Sequence, residues 1–476
     1  MERTNKGLFI SNVKVAMFSQ LISLAVSVAS SLILPKFMGV EDFSYYQLFI
    51  FYITYVGFAC FGLNDGIYLK EGGKHWNELD KSSLKYQWYL STLGQAVVFG
   101  ALIICVFNFE NDINRIFVFI STGLYGILEC SFGYFSYIFQ ATNNIKLFSI
   151  SSMIERIIFF ISIISSVIFD LKSFRFFIYI LLIAKSVSLI ILLINAKDIL
   201  NANKIPFNSS FKDMISNMKV GLHLMIANIA SLLILGFGRF LIDFKWGINA
   251  FGKFSFSMSL ANFFLLFINR LSLVIFPTLK RLSNDNQKKI YFLINKSIFL
   301  IGPLIYLCYL PLSMFVYYWL PNYYESIIYL AILLPMCIFE GKMNLLYITY
   351  FKAFRLEKYL LKINILTLIV SIIMTLMSVY VFQSMNFVVI GMIISLIFRC
   401  VLSELVISSH LNNSFNKELI IEMTIAMLFI FVNIYINVKF GFILILTLYA
   451  IILFSNRKYM TPFLKLIKKK SHEKQN

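Results

Sequence analysis

The chain has 476 residues, 59% of them hydrophobic, with a mean hydropathy of +0.80; this is more apolar surface than one soluble core buries, so a soluble globular fold is excluded. A β-barrel is excluded as well, because it would show alternating segments of about ten residues, whereas 357–382 and 418–437 are continuously apolar, a pattern that only helices satisfy in lipid. The net charge of +19 could suggest nucleic acid, but the excess is spread over short loops and the tail residues Lys465, Lys468, Lys469 and Lys470, where topology and attraction to anionic headgroups account for it.

Fourteen spans are predicted, near 13–34, 43–64, 86–107, 116–140, 148–169, 176–195, 217–242, 251–276, 290–319, 324–349, 359–382, 387–409, 418–437 and 440–456. Cytoplasmic segments are enriched in Lys and Arg, so their distribution tests the alternation. Of the 42 Lys and Arg residues, 28 fall on one side, 6 on the other and 8 within spans, which places both termini in the cytoplasm. The first span follows Arg3, Lys6 and Lys14 as a signal peptide would, yet its apolar run exceeds a signal h-region and lacks a small-x-small cleavage site, so it is expected to stay attached. Pro303 and Pro311 remove backbone donors from span nine and predict a kink there. The six cysteines lie in predicted spans without CxxC spacing, which indicates neither a disulfide framework nor a zinc site. The four histidines are scattered, and Gly72-Gly73 has no P-loop continuation; no cofactor, ATP site or enzymatic activity is expected.

An internal repeat organises the spans. Met38-Gly-Val-Glu-Asp-Phe-Ser-Tyr-Tyr46 follows span one and Trp246-Gly-Ile-Asn-Ala-Phe-Gly-Lys-Phe254 follows span seven; Gly39 matches Gly247, Val40 matches Ile248, Phe43 matches Phe251 and Tyr46 matches Phe254 at one constant offset. Six spans separate the copies, so the halves share an orientation and are related by an axis along the membrane normal. The expected fold is an all-α polytopic membrane protein with two six-helix lobes around a central cavity. The N-terminal lobe is 1–195 and the cytoplasmic linker 196–216, which carries Pro206 and Asn-Ser-Ser at 208–210. The C-terminal lobe is 217–410, followed by an added hairpin at 411–456 and a basic cytoplasmic tail at 457–476.

Polar residues at helical spacing within a span mark the side turned from lipid. Span one has Gln20, Ser23, Ser27 and Ser30, for which packing between helices is an equal explanation. Span four has the longest stripe, from Thr122 through Tyr125, Glu129, Gly133 and Ser136 to Gln140. Span seven has Asn228, Ser231, Arg239 and Asp243, with Arg239 and Asp243 one turn apart and able to pair. Span eight has Ser255, Ser259, Asn262 and Asn269, with Arg270 beside them. Shorter stripes hold Glu340 on span ten and Arg399 on span twelve. Eight cations lie inside spans: Arg156, Lys185, Arg239, Lys253, Arg270, Lys296, Lys342 and Arg399. An intramembrane charge is a functional candidate. Five carboxylates clearly lie inside spans (Glu129, Glu155, Glu340, Glu404 and Glu422), so a cavity between the halves should favour anions. Candidates for lining it are Arg239, Arg270, Arg399, Glu129, Asn262, Asn269, Gln20 and Asp65; Glu129, Asp243 and Glu340 are candidates for coupling to H⁺ or Na⁺. Buried at mid-membrane, Glu129 could bind and release a proton, unless it pairs with a neighbouring Lys or Arg.

The turn Pro35-Lys-Phe-Met-Gly-Val-Glu-Asp-Phe-Ser-Tyr-Tyr46, the Gly62-Leu-Asn-Asp-Gly66 after it, Gly238-Arg-Phe-Leu-Ile-Asp243 leading to Gly247, and Trp319-Leu-Pro-Asn-Tyr-Tyr324 together resemble bacterial polysaccharide flippases. These are the Wzx-type O-antigen and capsule repeat-unit transporters of the multidrug/oligosaccharidyl-lipid/polysaccharide (MOP) superfamily. The resemblance implies two six-helix lobes, alternating access, residence in the bacterial inner membrane and an undecaprenyl-pyrophosphate-linked glycan as substrate, with other polysaccharide-assembly membrane proteins as possible partners. Gly238 stands where an acid is common in the family, which puts ion coupling at that position in doubt. Two alternatives stand beside this reading. A multidrug or cation antiporter of the same fold would carry a carboxylate-rich cavity. A membrane-embedded glycosyltransferase or polymerase would need more periplasmic chain than loops of about ten residues offer.

Overall fold

The computed structural model describes residues 2–203, 207–279 and 284–457; within these, the side chains of 2–17, Gln20, 207–208, 267, 269–278 and 284–285 lie outside the description. The extended structure among the described residues is helical throughout. In chain order the helices are α1 (Glu2–Phe37), α2 (Val40–Ile53), α3 (Leu63–Glu71), α4 (Lys81–Phe109), α5 (Ile113–Ala141), α6 (Ile145–Ile168), α7 (Phe174–Asn195), the single turn α8 (Lys197–Leu200) and α9 (Phe207–Leu279). Then come α10 (Asn284–Ile301), α11 (Leu304–Leu307), α12 (Tyr309–Trp319), α13 (Ser326–Lys342), α14 (Ile348–Ala353), α15 (Glu357–Tyr380), α16 (Met385–His410), α17 (Lys417–Tyr435) and α18 (Val438–Ser455). Side-chain caps start several of them: Asp80 accepts from the Ser83 amide at 3.0 Å, Asp112 from Asn114 at 2.8 Å and Asn416 from Glu418 at 2.9 Å, each satisfying a backbone donor that the first turn leaves open.

Twelve stretches among the described residues are long and apolar enough to cross a membrane. One of them, Ser209–Leu266, carries two predicted spans, because α9 is broken at Gly247 with φ 80° and ψ 179°. Only glycine holds that backbone without strain. The first predicted span corresponds to the shorter apolar stretch Leu21–Phe37. Span nine is interrupted as its prolines predict: α10 stops at Ile301, Pro303 precedes the turn of α11, and α12 begins at Tyr309, two residues before Pro311. By contrast Pro335 lies inside α13 without ending it, and a π turn, Met343–Tyr347, joins α13 to α14.

The chain divides into two compact units, Met1–Phe256 and Ser257–Asn476. The first unit therefore takes in the arm 207–256 of α9, which begins inside the predicted linker 196–216. Close backbone approach explains this. A Cβ on Gly221 would lie 1.9 Å from the Gly62 carbonyl oxygen, and one on Gly66 would lie 1.9 Å from that of Asn217, so the stretch from Gly62 to Gly66 and this arm meet backbone to backbone at glycines. Polar bonds reinforce the seam: Asn217 Nδ2 donates to Gln87 Oε1 at 2.8 Å and Ser83 Oγ donates to Asp213 Oδ2 at 2.9 Å. Aromatic packing fills the interior nearby. Phe132, Phe135, Ile138 and Phe139 of α5 meet Leu63, Ile67, Leu189 and Leu192, with Trp76 stacked on Phe139 at 5.0 Å.

In the second unit α13 is the central element, buried along most of its length, with α16 and α17 against it. The hairpin α17–α18 is fixed to this unit by charge: Lys296 of α10 reaches Glu418 at 2.5 Å, and Lys342 of α13 reaches Glu422 at 2.6 Å.

Candidate functional site

The arm 207–246 places Arg239 one turn before Asp243, yet the two do not pair. Asp243 instead takes both ends of the Arg115 guanidinium, Nη1 at 2.7 Å and Nη2 at 2.6 Å. Two in-plane bonds across helices outweigh an i,i+4 contact, which is worth about 0.3–0.5 kcal/mol at a surface. The same end of the unit is tied by the Tyr45 hydroxyl, which donates to Asp112 Oδ2 at 2.6 Å.

Arg239 is thereby left without a carboxylate within ion-pairing distance among the described residues. Its Nη2 donates to Ser255 Oγ at 3.2 Å, and its guanidinium carbon lies 4.7 Å from the centre of the Phe51 ring and 5.5 Å from that of Phe251. The Nε–H is buried with no acceptor. Aromatic faces attract a guanidinium, but they do not use its in-plane donors. What remains is a desolvated cation with a vacant hydrogen-bonding edge, and that arrangement suits an anion with paired oxygens.

The other candidates of the first unit are engaged or peripheral. Glu129 Oε2 lies 2.6 Å from Lys185 Nζ, which also binds Glu155 Oε2 at 2.7 Å. Lys185 is buried and sits 4.4 Å over the Phe132 ring. The lysine thus ties α5, α6 and α7 at their middles. Neighbouring Arg156 points the other way and is exposed, as adjacency on one helix requires. Asp65, in the first turn of α3, is half-buried with no cationic partner among the described residues, and burial pushes its carboxyl up from the ordinary value.

In the second unit Arg399 and Glu340 find each other, Nη1 to Oε2 at 3.2 Å, while Arg399 Nε donates to Asn364 Oδ1 at 3.0 Å. Arg399 and Glu340, expected from the sequence to face substrate and ion, thus bind each other. Asn262 is exposed. The side chains of Gln20, Asn269 and Arg270 lie outside the described residues. Of the eight intramembrane cations, Lys185, Lys296, Lys342 and Arg399 are held in ion pairs. Sequence reasoning counted Glu404 and Glu422 without assigning them. Both are buried, Glu422 on Lys342 and Glu404 beneath the hydroxyls of Tyr291 and Tyr347.

A family model described as polysaccharide biosynthesis protein matches residues 9–283. A search of curated proteins finds no match. Among solved structures, the chain is similar to the lipid II flippase MurJ in an inward closed conformation, with 14% identity, 95% of this chain and 100% of that one covered, and a TM-score of 0.62. It is also similar to an inward-facing multidrug resistance MATE family transporter of the MOP superfamily, at 11% identity, 85% and 98% coverage and a TM-score of 0.57. A mutant of the Vibrio cholerae MATE transporter VcmN gives 14%, 87%, 98% and 0.55 respectively. At these identities the likeness speaks for the fold, that of MOP superfamily transporters. The family model spans more than half of a multi-pass membrane chain, and the protein is a member of the polysaccharide biosynthesis protein family.

Proposed function

We propose that the protein is a flippase that carries an undecaprenyl-pyrophosphate-linked oligosaccharide, a repeat unit of O-antigen or capsule, from the cytoplasmic to the periplasmic leaflet of the bacterial inner membrane by alternating access. The observation that carries the reading is Arg239, an uncompensated guanidinium at membrane depth with a buried, acceptorless Nε–H. A pyrophosphate supplies the oxygens this edge lacks, and the walls of Phe51 and Phe251 keep water from competing. The family match and the MOP fold agree with it. A carboxylate-rich cavity, which a cation antiporter would want, finds no support in Glu129 and Glu340, since both are bound to cations of the protein.

Complementation of a flippase-null strain tests the reading, with membrane protein levels measured in parallel. Arg239→Ala is expected to abolish surface glycan at normal protein levels. Arg239→Lys is expected to restore part of it, because an ammonium offers a point charge and no planar fork. Full export by the alanine variant would remove Arg239 as the anchor and the flippase reading with it.

A further inference from the structure

Helix α3 has one side that the first unit does not cover. Asn64 turns to α5, where its Nδ2 donates to the Cys130 carbonyl at 3.5 Å and lies 2.8 Å from the point a Cβ on Gly133 would occupy. Gly66 faces the arm of α9 at Asn217, and Leu63 and Ile67 belong to the aromatic core. The remaining direction is that of Asp65 and Tyr68, which share a face at i,i+3 spacing. Tyr68 is 43% exposed, and its ring meets that of Tyr137 on α5 edge to face, with the centres 5.7 Å apart.

Glu129 continues this surface along α5, two turns before Tyr137. Lys185 fixes its Oε2 at 2.6 Å, yet 33% of the side chain stays exposed. Helical side chains lean toward the start of their helix, which carries the Tyr137 hydroxyl back toward the two carboxylates, and both act on it electrostatically. The Gly73 amide donates to the Ala141 carbonyl at 3.1 Å, so α3 and α5 end together, on the side that the charge distribution of the sequence gives to the cytoplasm. Asp65 stands six residues before the end of α3 and Glu129 twelve before the end of α5, roughly 9 and 18 Å of helix. A carboxylate without a cationic partner is too costly against hydrocarbon, so the open side of α3 faces water or a polar ligand.

We infer that Asp65, Tyr68, Tyr137 and Glu129 form a saccharide-binding wall on the first unit, which takes the sugar part of a lipid-linked glycan as it enters from the cytoplasmic leaflet. A pyranose has C–H groups on its faces for the aromatic rings and hydroxyls around its edge for the carboxylates. The family match to polysaccharide biosynthesis proteins agrees with a sugar as occupant. Both charged side chains of the wall are acids, so the sugar it takes presents hydroxyl or amino groups here, and a uronic acid is repelled. Arg239 holds an anion by its guanidinium edge; the wall is a separate set of residues with the opposite charge preference. It rests on the flippase reading for the lipid that carries the glycan.

Photocrosslinking of the full chain in its host cell tests the wall with the glycan that the cell itself makes. p-Benzoylphenylalanine in place of Tyr68 or of Tyr137 is expected to give adducts that mass spectrometry identifies as glycan, at normal membrane levels of the protein. Tyr89 is the control: it is 45% exposed, stands eight residues inside the start of α4 and has no carboxylate within a turn, so the same replacement there is expected to capture phospholipid only. With the crosslinker at position 68, Asp65→Asn is expected to lower the glycan adduct about tenfold, the worth of one hydrogen bond to a charged group. Phospholipid alone at positions 68 and 137 would make the tyrosines interfacial anchors and overturn the inference, as would equal glycan capture at 89 or an adduct indifferent to Asp65→Asn. The two readings fail separately. Export that depends on Arg239 in cells where position 68 captures no glycan removes the wall alone, whereas capture at 68 together with full export by Arg239→Ala leaves the wall and removes the anchor.

Discussion

At the residue scale the deciding fact is which acid each buried cation meets. Arg115 and Asp243 form two parallel bonds at 2.7 and 2.6 Å with Asp243 almost fully enclosed, and removing one partner of such a pair leaves the other charge stranded. Arg115→Ala is expected to destabilise the protein by about 3 kcal/mol, the lower end of the range for a buried pair because Arg115 keeps some exposure. Arg115→Lys should recover part of that, and Asp243→Ala should add little in the Arg115→Ala background, since the two side chains act as one unit. Thermal unfolding of the purified variants in detergent measures all three. Additive losses from the two alanine substitutions would show that each side chain has independent partners. This pairing also shows where a sequence stops being informative. Spacing along one helix identifies Arg239 and Asp243 as neighbours, but no spacing says that Arg115 arrives from α5 with a better geometry. The same holds for Glu129, whose polar stripe was legible while its partner Lys185, on a helix two spans later, was not.

Among elements, the hairpin α17–α18 has no counterpart in the first half of the chain, which makes it look like an addition. Its charges contradict that appearance. Lys342 is completely buried and Lys296 nearly so, and their carboxylates, Glu422 and Glu418, both come from α17. A chain ending at residue 416 would strip Lys342 and Lys296 of these carboxylates, a loss of several kcal/mol at the fully buried Lys342. Such a truncation is expected not to accumulate in membranes. Replacing Lys296 and Lys342 by Met in the truncated chain should restore accumulation in part, because methionine fills similar space without charge. Immunoblots of membrane fractions decide this; equal absence of both truncated forms would mean that apolar packing against α17, and not charge, makes the hairpin indispensable. Element boundaries were otherwise readable from hydropathy, caps and prolines. The π turn at Met343–Tyr347 was not, since hydropathy does not register the extra residue such a turn inserts into a helix.

For the whole molecule, contacts within the first unit sort its ends into two groups. Trp76 Nε1 and Lys81 Nζ both donate to Asp198 at 3.3 Å, and Lys85 Nζ donates to the Ala202 carbonyl at 3.1 Å, which brings segments 70–85 and 196–202 to one end. Asp42 accepts from the Phe174 amide at 3.0 Å, Arg175 donates to Asn114 at 2.8 Å and Arg115 binds Asp243, which gathers four other turns at the opposite end. This sorting is the alternation that the uneven distribution of Lys and Arg implies, reached from geometry alone. It groups the loops of the first unit by side, and by the positive-inside tendency the basic side is expected to be cytoplasmic. Reporter fusions after residues 205, 285 and 470 are therefore expected to read cytoplasmic, and fusions near 111 and 248 periplasmic. In the second unit the Tyr350 hydroxyl donates to the Gln287 carbonyl at 2.7 Å and Lys296 reaches Glu418, so the start of α17 shares its side with residue 285. A periplasmic signal at 285 with a cytoplasmic one at 205 would overturn the parallel repeat expected from the sequence. It would also turn Glu418 outward.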